Sequence, residues 1–270
     1  MTEIPELTAA PAKPAPLVTQ VRLLTVRLIR KVLREPAVTI PNLAISAFFL
    51  FTYNGAFGSS GVTSFPGVGG NYLNFILPVT VLFSSISGGA AGLTLVQDLE
   101  TGYFRRQLSM PLSRSAIVLA AIMLGAIQVL VQACLIMTIG LIMGADPATG
   151  IGGIFALLGF ALLWGMGFAG YSVATGLKTG NAQAAQAATF IFFPLMFLAP
   201  VFLPMNELAG WIQAVAKVNP TTYMLEAMRS VMIQGWVTSA LLKGLLAGGL
   251  FAVITLTAAV RVARSKTSRA

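Results

Sequence analysis

Five stretches of this chain contain no Asp, Glu, Lys or Arg: residues 36–97, 115–145, 147–177, 179–206 and 244–260. A helix that crosses a bilayer needs about 20 mostly apolar residues, because the hydrocarbon offers no water to charged side chains. Gaps of this length restrict the chain to folds whose solvent is lipid. Of its 270 residues, 56% are hydrophobic and 9% are charged, against roughly 25% charged in an average soluble domain. The first gap is too long for one helix and is interrupted by FGSSGVTSFPGVGG at 57–70, a glycine-rich loop. The pattern predicts an all-α polytopic membrane protein with six spans at 38–56, 72–96, 115–143, 151–175, 184–203 and 240–260. Six crossings put both termini on one side.

Basic residues select that side, because short loops rich in Lys and Arg stay in the cytoplasm. Lys13, Arg22, Arg27, Arg30, Lys31, Arg34, Arg105, Arg106, Arg114, Lys178, Arg261, Arg264, Lys266 and Arg269 fall on the terminal side, and only Lys217, Arg229 and Lys243 fall opposite. The expectation is a multi-pass protein of the cell membrane, that of a bacterium, with both termini cytoplasmic. The formal charge of +9 is then an orientation signal, and a nucleic-acid partner is not expected.

Residues 1–16, MTEIPELTAAPAKPAP, hold four prolines and no apolar run, and read as a disordered lead-in. In 17–36, Leu17, Val21, Leu24, Leu28 and Val32 recur at helical spacing while Arg27, Arg30, Lys31 and Arg34 take the other arc. That predicts an amphipathic helix at the cytoplasmic membrane surface, its cations facing lipid headgroups; a basic helix docked on a partner protein is the alternative. Pro36 ends it. A membrane domain over 37–262 and a basic tail over 263–270 complete the chain. Within 204–236, Leu208, Trp211, Ile212 and Val215 form one helical face and Met224, Met228 and Val231 another. Two short outer helices follow, the second capped by Thr221 or Thr222 after Pro220.

There is no histidine and one cysteine, which removes imidazole chemistry, zinc clusters and internal disulfides. Cys134 lies mid-span and reads as a small apolar residue. No metal site and no catalytic residue is expected. No ionisable group sits well inside a span, so a proton or ion relay lacks its usual carboxylate. The chain also lacks a G-x-x-x-x-G-K-[ST] phosphate loop, so no cofactor is expected on it, and a separate nucleotide-hydrolysing partner reconciles the two absences. GMGFAG, with Gly165, Gly167 and Gly170, satisfies a dinucleotide pattern but lies in an apolar span without a preceding strand. It predicts close helix packing, as do Gly140 with Gly144 and Gly244 with Gly248.

The most polar internal stretch is DLETGYFRRQLSMP, residues 98–111. A helix from about 98 to 108, with Asp98 and Glu100 at its positive end, would present Tyr103, Phe104 and Leu108 beside Arg105 and Arg106 to a soluble partner. The alternative is a solvated loop whose charges only fix topology.

The chain resembles the permease subunit of ABC type-2 exporters, most closely the daunorubicin-resistance-like branch. The resemblance rests on the basic amphipathic helix followed by REP at 34–36; on Glu100, Gly102, Leu108 and Pro111 in DLETGYFRRQLSMPLSR; and on Pro204, Trp211, Asn219, Pro220, Tyr223 and Arg229 in the last outer segment. It implies a half-transporter: two permease subunits, here a homodimer, with two cytoplasmic ATPases that bind ATP and Mg, coupled through the 98–111 connection. Phe104-Arg105-Arg106 departs from the acidic or small polar residues common there. Along the first span Asn42, Ser46, Phe49 and Tyr53 share a face suited to an amphipathic solute, with helix packing as the alternative. Short outer loops suit a small drug-like or lipid-like cargo. Two other readings stay open, a stand-alone ion-coupled carrier or channel and, with less in its favour, a membrane-embedded enzyme.

Overall fold

The computed structural model describes residues 15–34, 36–64, 67–101, 112–190 and 192–266. Every extended element among them is helical. Helix α1 (Leu17–Arg34) is followed by α2 (Pro36–Phe57). Helix α3 (Tyr72–Ser84) starts at Asn71, whose side-chain oxygen accepts from the Leu73 N–H at 3.0 Å. A 3-10 turn at Ser85–Gly89 separates α3 from α4 (Ala90–Glu100). Ser113 caps α5 (Arg114–Ile142), its hydroxyl accepting from Ala116 N–H. Helix α6 (Gly150–Thr179) stops at Gly180, with φ +67°, a conformation that costs glycine little. Two short helices, α7 (Ala182–Phe190) and α8 (Phe192–Phe197), precede α9 (Gly210–Val218) and α10 (Pro220–Arg229). A π-turn at Ser230–Gln234 leads through Gly235 toward α11 (Thr238–Lys266).

Among the described residues, four helical stretches are long and apolar enough to cross a membrane: Tyr72–Asp98, Ser115–Ile142, Gly150–Thr179 and Thr238–Ser265. They coincide with the second, third, fourth and sixth predicted spans. Helix α2 covers the first. The fifth, predicted as one helix over 184–203, is helical in α7 and α8 and runs as a turn and bends from 198 to 203. Pro200, which has no N–H to give the hydrogen-bond ladder, lies in those bends.

Helix α6 is the hub, touching α11, α5, α4 and the 3-10 turn. Its glycines are the reason. A Cβ on Gly165 would meet Val129 of α5, one on Gly167 would meet Phe251 of α11, and one on Gly170 would meet the α11 backbone at Thr255 and Leu256. The GMGFAG run is a packing surface, as predicted, and in lipid such close approach supplies dispersion energy that the hydrophobic effect cannot. Gly244 and Gly248 likewise receive α10 and α6 side chains. Gly140 packs on Leu77, but Gly144 lies past the end of α5 with φ +100°; it makes a turn rather than a helix contact.

The two short outer helices form as predicted, but their cap differs. Asn219, not Thr221 or Thr222, caps α10, accepting from Thr221 N–H at 3.0 Å. Both threonines are buried. Placing Asn one residue before Pro220 lets the proline occupy the first helical turn, the arrangement its ring prefers.

Candidate functional site

At the end of the bundle that bears α1, three elements converge on the last turn of α4. Asp98 is the pivot. Its side chain is 6% exposed and accepts from Arg27 at 3.2 Å and Lys31 at 3.1 Å, cations 32% and 28% exposed. These cations lie four residues apart on α1, so both heads reach one carboxylate. Most of the helix expected from about 98 to 108 lies outside the described residues; within them Asp98 and Glu100 end α4, and acids at a helix C-terminus are held against the helix dipole by such partners. Glu100 is exposed and accepts from the Ala182 N–H at 3.2 Å, tying α4 to the first residue of α7. The amide of Gln20 makes a further tie, its oxygen accepting from Ser113 N–H at 2.7 Å just before α5.

Helix α1 lays part of its predicted apolar stripe on protein. Leu24, Leu28, Ile29 and Val32 pack on Ala120 and Leu124 of α5, while Leu17, Val18, Leu23, Val26 and Leu33 are exposed. Leu24, Leu28 and Val32 of that stripe thus meet α5, and Leu17 does not. Of the four cations assigned to headgroups, Arg27 and Lys31 face Asp98; Arg30 and Arg34 are exposed. The predicted coupling residues Gly102, Tyr103, Phe104, Arg105, Arg106, Leu108 and Pro111 lie outside the described residues.

The predicted face of α2 is brought together but turned inward. The Ser46 hydroxyl donates to Asn42 O of its own helix. Phe49 stacks on Phe83 at 4.9 Å and on Tyr53 at 5.5 Å, and Tyr53 stacks on Phe202 at 4.3 Å. In one chain these rings are packing surface, joined to Phe197 and Phe57.

The opposite end holds a residue that the sequence reading counted as an orienting charge and as part of the family resemblance, with no contacts assigned to it. Arg229, 7% exposed, donates through Nε to Phe75 O at 3.1 Å, through one terminal nitrogen to Pro200 O and through the other to Val201 O at 2.7 Å. Its guanidinium carbon lies 3.4 Å from the centroid of the Phe75 ring, a cation–π contact strengthened by desolvation. Burial pulls its pKa down to about 9, Tyr72 and Glu226 opposing, so the group stays charged at neutral pH. Glu226 is raised by burial, with Lys243 and Arg229 opposing. One signal was available: Arg229 falls four residues after Leu225, on the buried arc of α10. Nearby, Asn74 and Asp146 exchange two hydrogen bonds, Asn74 Nδ2 to Asp146 O at 2.9 Å and Asp146 N to Asn74 Oδ1 at 3.0 Å. Tyr72 donates to Phe202 O and Thr149 to Val231 O.

Among the described residues no group of three or more His, Cys, Asp or Glu is placed to hold a metal. The contacts at both ends of the bundle link helices to one another.

Comparison with known proteins accounts for that character. The chain is 24% identical over 186 residues, 68% of its length and 63% of the relative's, to the daunorubicin resistance ABC transporter permease protein DrrB1 of Streptomyces coeruleorubidus. It is 22% identical over 226 residues, 83% of this chain and 81% of the relative, to a permease of Mycobacterium tuberculosis named as the doxorubicin resistance protein DrrC. To a transport permease named ycf38 in Pyropia yezoensis it is 27% identical over 217 residues, 79% and 74% of the two chains. The ABC-2 type transporter family model matches residues 19–233, a match that runs from α1 to the π-turn and takes in both ends of the bundle, and the chain belongs to that family.

Proposed function

We propose that this chain is the transmembrane permease subunit of an ATP-binding-cassette exporter, moving an amphipathic drug-like or lipid-like molecule out of the cytoplasm or the inner leaflet. The family match over residues 19–233 carries the reading, and the drug-resistance names of two relatives supply the cargo class. With no phosphate loop in its sequence, the chain draws its energy from a separate ATPase that binds ATP and Mg. It works as a homodimer of permeases in the cell membrane, with six crossings, α2 and the α7–α8 pair being the first and fifth, and both termini cytoplasmic.

In this reading the ATPase docks on the connection after α4, where Glu100, Gly102, Tyr103, Phe104, Arg105, Arg106, Leu108 and Pro111 follow one another. A push there reaches α4 directly, α1 through Asp98 and α7 through Glu100. The free cations Arg30 and Arg34 contact anionic lipid.

The test is reconstitution. The chain, purified with its ATPase into liposomes, should move a fluorescent amphipathic drug only with hydrolysable ATP. Transport by the chain alone, driven by an ion gradient, would replace the exporter with a carrier. In a Cys134→Ala background, Ser60→Cys should label from outside intact cells and Thr101→Cys should not; the reverse pattern inverts the topology.

A further inference from the structure

The second apolar span is broken at mid-length. Between α3 and α4 the chain runs as a 3-10 turn over Ser85–Gly89, and the local sequence explains why. The Ser84 and Ser87 hydroxyls each donate to a carbonyl three residues back, Val81 O and Ser84 O, at 2.6 Å, competing with the α-helical ladder. Gly88 and Gly89 follow, the poorest helix formers after proline.

Both ends of the break are fastened to α6. Ser85 donates to Ala161 O at 3.1 Å, and Ser172 donates to Gly89 O. Backbones touch between these ties: a Cβ on Gly88 would lie 2.6 Å from Gly165 O, and one on Gly92 would lie 2.2 Å from Ser172 O. The two halves of the span, meanwhile, are held by different neighbours. Helix α3 belongs to the far end, through Phe75 O to Arg229 and through Asn74 to Asp146. Helix α4 belongs to the α1 end, through Asp98 and Glu100.

Resting on the permease reading above, we infer that Ser85–Gly89 is the hinge by which motion at the α1 end reaches the far half of the span, with Ser85 and Ser172 as positioning residues that hold its 3-10 register. A 3-10 helix turns about 20° more and rises about 0.5 Å more per residue than an α-helix. Converting five residues to α therefore rotates α4 against α3 by about 100° and shortens the span by about 2.5 Å. The rotation carries the buried Ala91, Leu95 and Val96 and the Asp98 carboxylate with it, so α1 moves with α4 while the two hydroxyl bonds to α6 change partners.

Spin labels at Thr101→Cys and Thr179→Cys, in a Cys134→Ala chain diluted with unlabelled permease and assembled with its ATPase, report the position of α4 against α6. The label distance should shift by several ångströms between the ATP-free and vanadate-trapped complexes. Ser85→Ala with Ser172→Ala should move the ATP-free distribution toward the trapped one and lower the number of molecules transported per ATP at normal complex yield. The same distance in both states of a transporting complex overturns the hinge and leaves the exporter standing; absence of ATP-driven transport in the unsubstituted chain overturns the exporter itself. Should the serine variant fail to assemble, the two-state distance in the labelled chain still decides.

Discussion

Removing the two cations that face Asp98 should loosen α1 more than removing Asp98 itself. The asymmetry follows from exposure: the carboxylate is 6% exposed and the cations are 32% and 28% exposed. Arg27→Met with Lys31→Met leaves a buried anion without a partner, at a cost of about 3–5 kcal/mol. Because α1 covers Asp98, undocking α1 relieves that cost by letting water in. In Asp98→Asn the cations swing their heads to solvent on flexible stems, the amide oxygen still accepts, and the loss is about 1 kcal/mol. A third variant, Asp98→Leu in the double-Met background, removes every charge and should sit near the unsubstituted chain. At about 1.4 kcal/mol per decade, amide hydrogen exchange in α1 should accelerate roughly 100-fold or more in the double-Met complex and about fivefold in Asp98→Asn, with the apolar triple recovering most of the protection. Exchange in Asp98→Asn as fast as in the double-Met variant, or no recovery in the triple, would refute the argument that a buried unpaired anion is what undocks the helix.

Three further outcomes test the packing and the far end. Arg229→Met should lower the thermal midpoint of the purified complex by the equivalent of about 3 kcal/mol or more, three carbonyls losing their donor, and Arg229→Lys should recover only part, since one ammonium cannot span the fork. Glu226, whose carboxyl burial raises, binds its proton more tightly folded than unfolded; its contribution is complete below the ordinary value of about 4.3 and is lost as pH rises through the folded-state value. Glu226→Gln should therefore gain on the unsubstituted protein in midpoint as pH rises, and a constant gap would contradict the shift. Gly92→Ala drives a Cβ to 2.2 Å from Ser172 O and should cost about 1–3 kcal/mol, whereas Gly249→Ala, with nothing within 4 Å, should stabilise by about 0.5–1 kcal/mol, both read as midpoint shifts.

The helices were legible wherever one physical rule had no rival. A charge-free run must find an apolar solvent, so α3 to α6 and α11 could be placed from the gaps alone. Three features had rivals. The stripe Leu24, Leu28, Val32 fits a membrane surface and a protein surface equally well, and the surface it meets, Ala120 and Leu124 of α5, lies nearly a hundred residues away. Asp98 and Glu100 look like the acidic start of a helix, yet the apolar run before them continues up to Asp98, and their partners Arg27, Lys31 and the Ala182 N–H are tertiary. The fifth span reads as continuous by hydropathy and leaves the helix from 198 on, around Pro200, whose effect is on hydrogen bonds. Arg229 entered the reading through the Lys/Arg tally and the resemblance, neither of which speaks to burial; only its register with Leu225 did.

Arg229 directs every hydrogen bond it makes here to main chain. The three oxygens it holds belong to Phe75, Pro200 and Val201, and any amino acid at those positions would present a carbonyl. At 200 and 201 the staple is therefore blind to the identity of what it fastens, whereas at 75 it also rests on the ring. Residues 200 and 201 are free to be exchanged in a lineage adapting to a new cargo without loosening the joint, provided the backbone keeps its path, while position 229 has no such freedom. A library randomised at 200–201 should yield many assembled complexes, and one randomised at 229 should return arginine.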